Sequence, residues 1–257
     1  MTERATPAAI TRVNGGGRAQ DDDVVVIEEP LEIRVGDRPV SVTMRTPGDD
    51  FDLAAGFLFT ESITSEVESI RHWGSPNVVR VDVRNPVDLQ RLQRHFYSTS
   101  SCGVCGKASI DALRVNASPV ARVEVSPDVI HAIPQRLVDA QKTFAETGAI
   151  HAAGLFDLSG NLLRMREDVG RHNAVDKLIG SYVREGRTRL ENTIMLLSGR
   201  AGFEVVQKSI VAGIPIIASV GAPSSLAVDL AREFGATLLG FVRDGRFNIY
   251  VGDMHVE

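Results

Sequence analysis

A chain of 257 residues, 43% hydrophobic and 24% charged, is long enough to bury one sizeable core or two modest ones. Its formal net charge of -5 argues against bulk attraction to nucleic acid, and no apolar run approaches the roughly 18 residues that a membrane span needs. The first residues lack a charged-then-apolar secretory pattern, so the expected location is cytoplasmic.

Residues 1–23 end in a glycine run and an aspartate run and read as a disordered leader. Apolar and polar residues alternate from Val24, and again beyond the Gly36-Asp37 turn, which predicts an antiparallel hairpin. Pro47-Gly48-Asp49-Asp50 then opens a helix with the aspartates as caps and Phe51, Leu53, Ala54, Phe57 and Leu58 as its apolar stripe. A strand over 78–84, a polar helix over 87–96 and a polar loop over 98–107 fill out an N-terminal α+β domain, 24–125.

A second domain, 126–257, begins with Ser126 capping a helix that has Pro127 in its first turn. Pro134 is expected to break this helix, with a restart that runs through Phe144. Ile150 to Phe156 and Leu162 to Met165 predict a hairpin, and Asn173 is expected to cap the next helix. Strands at 193–197, 214–220 and 237–242 alternate with helices at 203–212 and 226–234, the pattern of a parallel sheet with right-handed crossovers. Phe247 to Tyr250, after the Arg243-Asp244-Gly245-Arg246 turn, should return antiparallel at an edge.

In such sheets the ligand crevice lies beyond the carboxyl ends of the parallel strands. Three loops fall there: Ser198 to Gly202, containing Gly199 and Arg200; Gly221 to Ser225; and Arg243 to Arg246. Helix entries with free backbone N–H groups, together with Arg200, Arg243 and Arg246, suit the phosphates of a small molecule, with a nucleotide as the natural choice. Neither a P-loop nor a GxGxxG fingerprint is present, which disfavours an ATPase or an ordinary dehydrogenase. His172, between Arg171 and Asn173 and near Asp168, is a candidate proton relay or ligand contact, and equally a structural histidine.

The chain's two cysteines, Cys102 and Cys105, stand in the run Ser101-Cys-Gly-Val-Cys-Gly-Lys107. Gly103 and Gly106 leave the backbone open around both thiols, and Lys107 favours the thiolate, the form that reacts. Structural zinc lacks a second CxxC, and zinc deaminase chemistry lacks its H-x-E and P-C-x-x-C elements, so no metal is expected. Covalent sulfur chemistry competes with two alternatives, a CxxC thiol-disulfide oxidoreductase and a redox-regulated nucleotide-binding protein.

Five stretches together resemble one family, the FdhD-type accessory sulfurtransferases of formate dehydrogenase. They are Thr43 to Asp50 with Ala55 to Leu58, Cys102 to Gly106, Arg166 to Lys177, Leu197 to Arg200, and Phe241 to Arg246. The resemblance implies a cysteine persulfide received from a cysteine desulfurase. It further implies transfer of that sulfur to the molybdenum bis(molybdopterin guanine dinucleotide) cofactor, bound as cargo, on its way to formate dehydrogenase. It implies a cytidine-deaminase-like three-layer α/β domain, a homodimer, and a cofactor-contacting segment formed by Phe241, Val242, Arg243, Asp244, Gly245 and Arg246. One departure is Glu61-Ser62, where the resemblance leads one to expect Glu-Gly.

Overall fold

The computed structural model describes residues 4–85, 87, 117–243 and 245–253. Its centre is a six-stranded sheet built from β7 (His151–Asp157), β8 (Leu162–Asp168), β9 (Thr193–Leu197), β10 (Ile216–Ser219), β11 (Thr237–Arg243) and β12 (Arg246–Val251). The order is β12-β11-β10-β9-β7-β8, with β9, β10 and β11 parallel and β12 returning antiparallel at one edge, as its tight turn predicts. The predicted α/β class is therefore the observed one.

Every residue of β9 is buried, which fits a central parallel strand covered on both faces. Met195 and Leu197 point into one apolar cluster and Ile194 and Leu196 into the other. The first cluster is closed by α4 (Arg171–Val183), α5 (Phe203–Val211) and α6 (Ser225–Phe234). The second is closed by α2 (Pro127–Ala140) through Ile130, Ile133 and Leu137.

Pro134 does not break α2; the helix runs on to Ala140, and α3 (Lys142–Thr147) begins only after a bend at Gln141. The missing N–H costs one helical bond, whereas Ile130, Ile133 and Leu137 form a continuous stripe across the proline and are all buried against the sheet. Asn173 does not cap α4. Gly170 holds that position, and the asparagine side chain is used elsewhere.

A four-stranded sheet of order β4-β3-β6-β5 contains β3 (Glu29–Val35), β4 (Arg38–Arg45), β5 (Val67–His72) and β6 (Val78–Val83). Leu31, Ile33, Val79 and Val81 cover Leu53, Ala54 and Leu58 of α1 (Asp50–Thr60). Asp49 precedes α1 in the left-handed region and makes no side-chain cap; its carboxylate pairs with Arg4 at 2.5 Å. Ser62, the departure from Glu-Gly, also sits at positive φ, 54°, a conformation that glycine adopts without a Cβ penalty.

The leader expectation is overturned. Ala5–Asn14 (β1) and Gly17–Val26 (β2) pair in register as an antiparallel hairpin that packs against α3. The glycine run read as disorder makes its two-residue turn, where Gly16 N–H donates to Asn14 Oδ1 at 3.1 Å.

The two sheet systems are joined where α1 crosses α4. A Cβ on Gly180 would lie 1.9 Å from the Asp52 carbonyl oxygen, and one on Gly56 would lie 1.9 Å from that of Asp176, so the backbones touch with no room for a side chain. Gly180→Ala is therefore expected to cost at least about 2 kcal/mol in urea unfolding, as overpacking against backbone does. A wild-type midpoint for that variant would show that the helices separate freely.

Candidate functional site

Because β7 runs antiparallel to both β8 and β9, the carboxyl ends of β8, β9, β10 and β11 gather with the start of β7 at one end of the large sheet. The loops there are stitched edge to edge. Gly221 N–H donates to the Gly199 carbonyl, and Phe241 N–H to the Gly221 carbonyl, both at 3.1 Å. Gly221 must be small, since a Cβ would stand 3.0 Å from the Arg200 Cα.

Beside these loops, on the α2 face, opens a cavity of about 1050 Å³. Leu137, Phe144, Ile150, Leu196, Val220 and Val242 give it apolar walls, while His131, Gln141, His151 and Arg243 bring polar groups. Its size and composition are those of a small-molecule site at the strand-end crevice of an α/β sheet.

The predicted residues divide clearly. Val242 and Arg243 line the cavity, Val242 buried and Arg243 exposed. Phe241 lies at a bulge in β11 with φ of 54° and is 39% exposed, so it is an outward-facing residue. Gly245 turns the chain at φ of 73°, and Arg246 starts β12 on the surface. Gly199 and Arg200 sit in the β9–α5 loop, with Arg200 exposed. Cys102, Cys105 and Asp244 lie outside the described residues.

At two of the expected anion-binding helix entries the chain brings oxygens of its own. Ser224 caps α6 by accepting from Ala227 N–H at 3.3 Å. At the start of α5, Glu204 places its carboxylate 3.2 Å from His172 Nε2, and that histidine holds the Glu204 pKa down at about 2. His172 is thus engaged with Glu204 rather than presented to the cavity. His151, which reasoning from motifs overlooked, does line the cavity beside Gly199. Burial, together with the nearby Arg171 and His172, lowers its pKa below 6.5.

The segment Arg166 to Lys177, the densest group of polar residues in the sequence, forms a buried latch. Lys177 and Asp168 are fully buried and paired at 2.7 Å. Asp168 also accepts from Gly170 N–H, Asn173 Nδ2 and Thr46 N–H, while Lys177 donates to the Thr46 carbonyl. Asn173 Nδ2 donates to the Met44 carbonyl as well. The stretches 43–50 and 166–177 are thus the two sides of one hydrogen-bonded joint.

Further along α4, Asp176 meets Lys208 at 2.9 Å, and Lys208 also donates to Thr60 and Glu61. Burial opposes the Lys208 charge, but Asp176 and Glu61 outweigh it and raise the pKa. Asp52 receives Arg166 at 2.8 Å and Arg184 at 2.5 Å.

A family model described as FdhD/NarQ matches residues 26–257. The chain belongs to the FdhD/NarQ family. It is 46% identical to a sulfur carrier protein FdhD of Streptomyces avermitilis, over 100% of this chain and 96% of that one. It is 49% identical to the protein of the same name in Mycolicibacterium paratuberculosis, over 94% of each. A crystal structure described as that of a candidate formate dehydrogenase accessory protein from Desulfotalea psychrophila superposes with a TM-score of 0.79 at 27% identity, covering 97% of this chain and 98% of that one.

Within this FdhD/NarQ framework, Lys177→Met strands the Asp168 carboxylate in the interior and should cost about 3–5 kcal/mol by denaturant unfolding. Arg232→Ala, which breaks an exposed pair with Asp229, should cost less than about 0.5 kcal/mol. Equal effects would mean that the latch carries no special weight.

A depressed His151 pKa means that the unfolded chain takes up this proton first, so stability falls as pH drops through 6.5. His151→Gln should therefore lose less stability than wild type as pH is lowered below 6.5. A stability difference that stays constant with pH would contradict the assignment.

Proposed function

We propose that this protein is a sulfur carrier for formate dehydrogenase maturation. It receives sulfane sulfur from a cysteine desulfurase as a persulfide on Cys102 and passes it to the molybdenum bis(molybdopterin guanine dinucleotide) cofactor, held as cargo. The observation that carries the reading is the strand-end cavity with Arg243 exposed beside it, in a chain that aligns along nearly its whole length with sulfur carrier proteins. A guanidinium suits a phosphate, and apolar walls suit a base. A homodimer would present equivalent sites to the two guanine nucleotides of the cargo.

In the first step the Cys102 thiolate attacks the outer sulfur of the donor persulfide. The donor S–S bond breaks, its cysteine leaves as a thiolate, and Cys102 keeps the sulfur. In the second, the Cys105 thiolate attacks the inner sulfur of Cys102 and expels sulfide toward the metal. The electrons for that reduction come from Cys105, which ends in a disulfide with Cys102 and is restored by a thiol reductant. Glycine at 103 and 106 adds no side chain to hinder a bulky partner in either step.

Incubation of the full chain with a cysteine desulfurase and cysteine should add one sulfur atom to the mass of the Cys102 peptide, and Cys102→Ala should abolish formate dehydrogenase activation. Reversible disulfide formation with no added sulfur would favour the oxidoreductase alternative instead. Arg243→Ala should weaken binding of GDP by about tenfold, the loss of one charge-assisted phosphate contact, while leaving sulfur loading of Cys102 intact.

A further inference from the structure

One wall of the strand-end cavity depends on a carboxylate that the latch does not use. Phe144 lines the cavity from α3, with Gln141 before it and Ile150 after it in the chain. A helix of six residues is too short to hold its shape unaided, so this wall stands only if something grips α3 from outside. The first N–H groups of a helix have no partner within it, and Gln141 at the N-cap makes no side-chain cap.

Glu167 supplies that cap from another element. Its two carboxylate oxygens accept from Thr143 N–H at 3.2 Å and Phe144 N–H at 3.1 Å, and the residue is 3% exposed. The placement follows from strand periodicity. Successive residues of β8 face opposite sides of the sheet, so Asp168 enters the latch while Glu167 turns toward α2 and α3. Ala152, opposite Glu167 on β7, lies in the apolar cluster of that same side. A carboxylate suits a helix N-terminus, where backbone dipoles present N–H groups, and these bonds offset the cost of burying it.

We propose that Glu167 is a positioning residue for the cargo: by capping α3 it sets Phe144 as the wall against which the nucleotide part packs. This role rests on the nucleotide-bearing cargo proposed above, and it gives Glu167 no contact with that cargo. The end of β8 then serves two joints, Asp168 on one face and Glu167 on the other.

The test is a double-mutant cycle in the full-length chain, read by calorimetric titration with GDP. Glu167→Gln keeps the shape but offers one acceptor oxygen to two donors, and should weaken GDP binding about tenfold. Phe144→Ala should weaken it by about the same factor. Because Glu167 acts through Phe144, adding Glu167→Gln to Phe144→Ala should cost less than about twofold more. Losses that multiply, or a Glu167→Gln chain that binds GDP as wild type does, overturn the proposal. Wild type alone gives a second measurement should a variant not fold: bound GDP should slow amide exchange at Thr143 and Phe144, and unchanged exchange there overturns the proposal too. Failure of wild type to bind GDP would instead remove the nucleotide site from the proposed function. Glu167→Gln must even then speed amide exchange across 142–147, and exchange at the wild-type rate would overturn the capping role by itself.

Discussion

The buried pair between Asp168 and Lys177 is the constraint on which the arrangement of the strand-end site depends. Two unit charges in a dry interior are tolerated only when their remaining valences are filled, and here they are filled by groups distant in sequence. Thr46 supplies both a backbone donor to Asp168 and a carbonyl to Lys177, while Val169 N–H reaches the Thr46 hydroxyl. The end of β4 is thereby fixed to the turn between β8 and α4. That turn is the ground on which Val169 borders the cavity and His172 meets Glu204. Displacing the pair would release both.

The latch works together with the helix crossing a few residues away. At Gly56 and Gly180, α1 and α4 approach until backbone touches backbone, which brings Asp52 and Asp176 within reach of arginines and a lysine from other elements. Close approach and charge pairing need each other. Larger residues would hold the carboxylates away from their partners, and unpaired carboxylates could not remain so deep. Ala55 of α1 consequently packs into the same cluster as Leu178 and Ile179, so the small sheet shares a core with the large one.

Much of this was legible in the sequence. The alternation of apolar runs with amphipathic helices from Thr193 onward fixed three parallel strands to within two residues, because strands covered on both faces leave an unambiguous apolar signature. Pro134 and the glycines at 15–17 misled for one shared reason. Each is a local breaker by propensity, and each was overridden, the first by a buried stripe across it and the second by strand pairing that turns a glycine run into a hairpin. β5 was missed because none of its residues is buried and they carry no clear alternation.

The site shows a sharper limit. Reading chemistry from polar density placed weight on Arg166 to Lys177, and the structure turns most of that density inward as hydrogen bonds and ion pairs. Such a joint needs specific donors and acceptors as strictly as catalysis does, so its sequence looks the same.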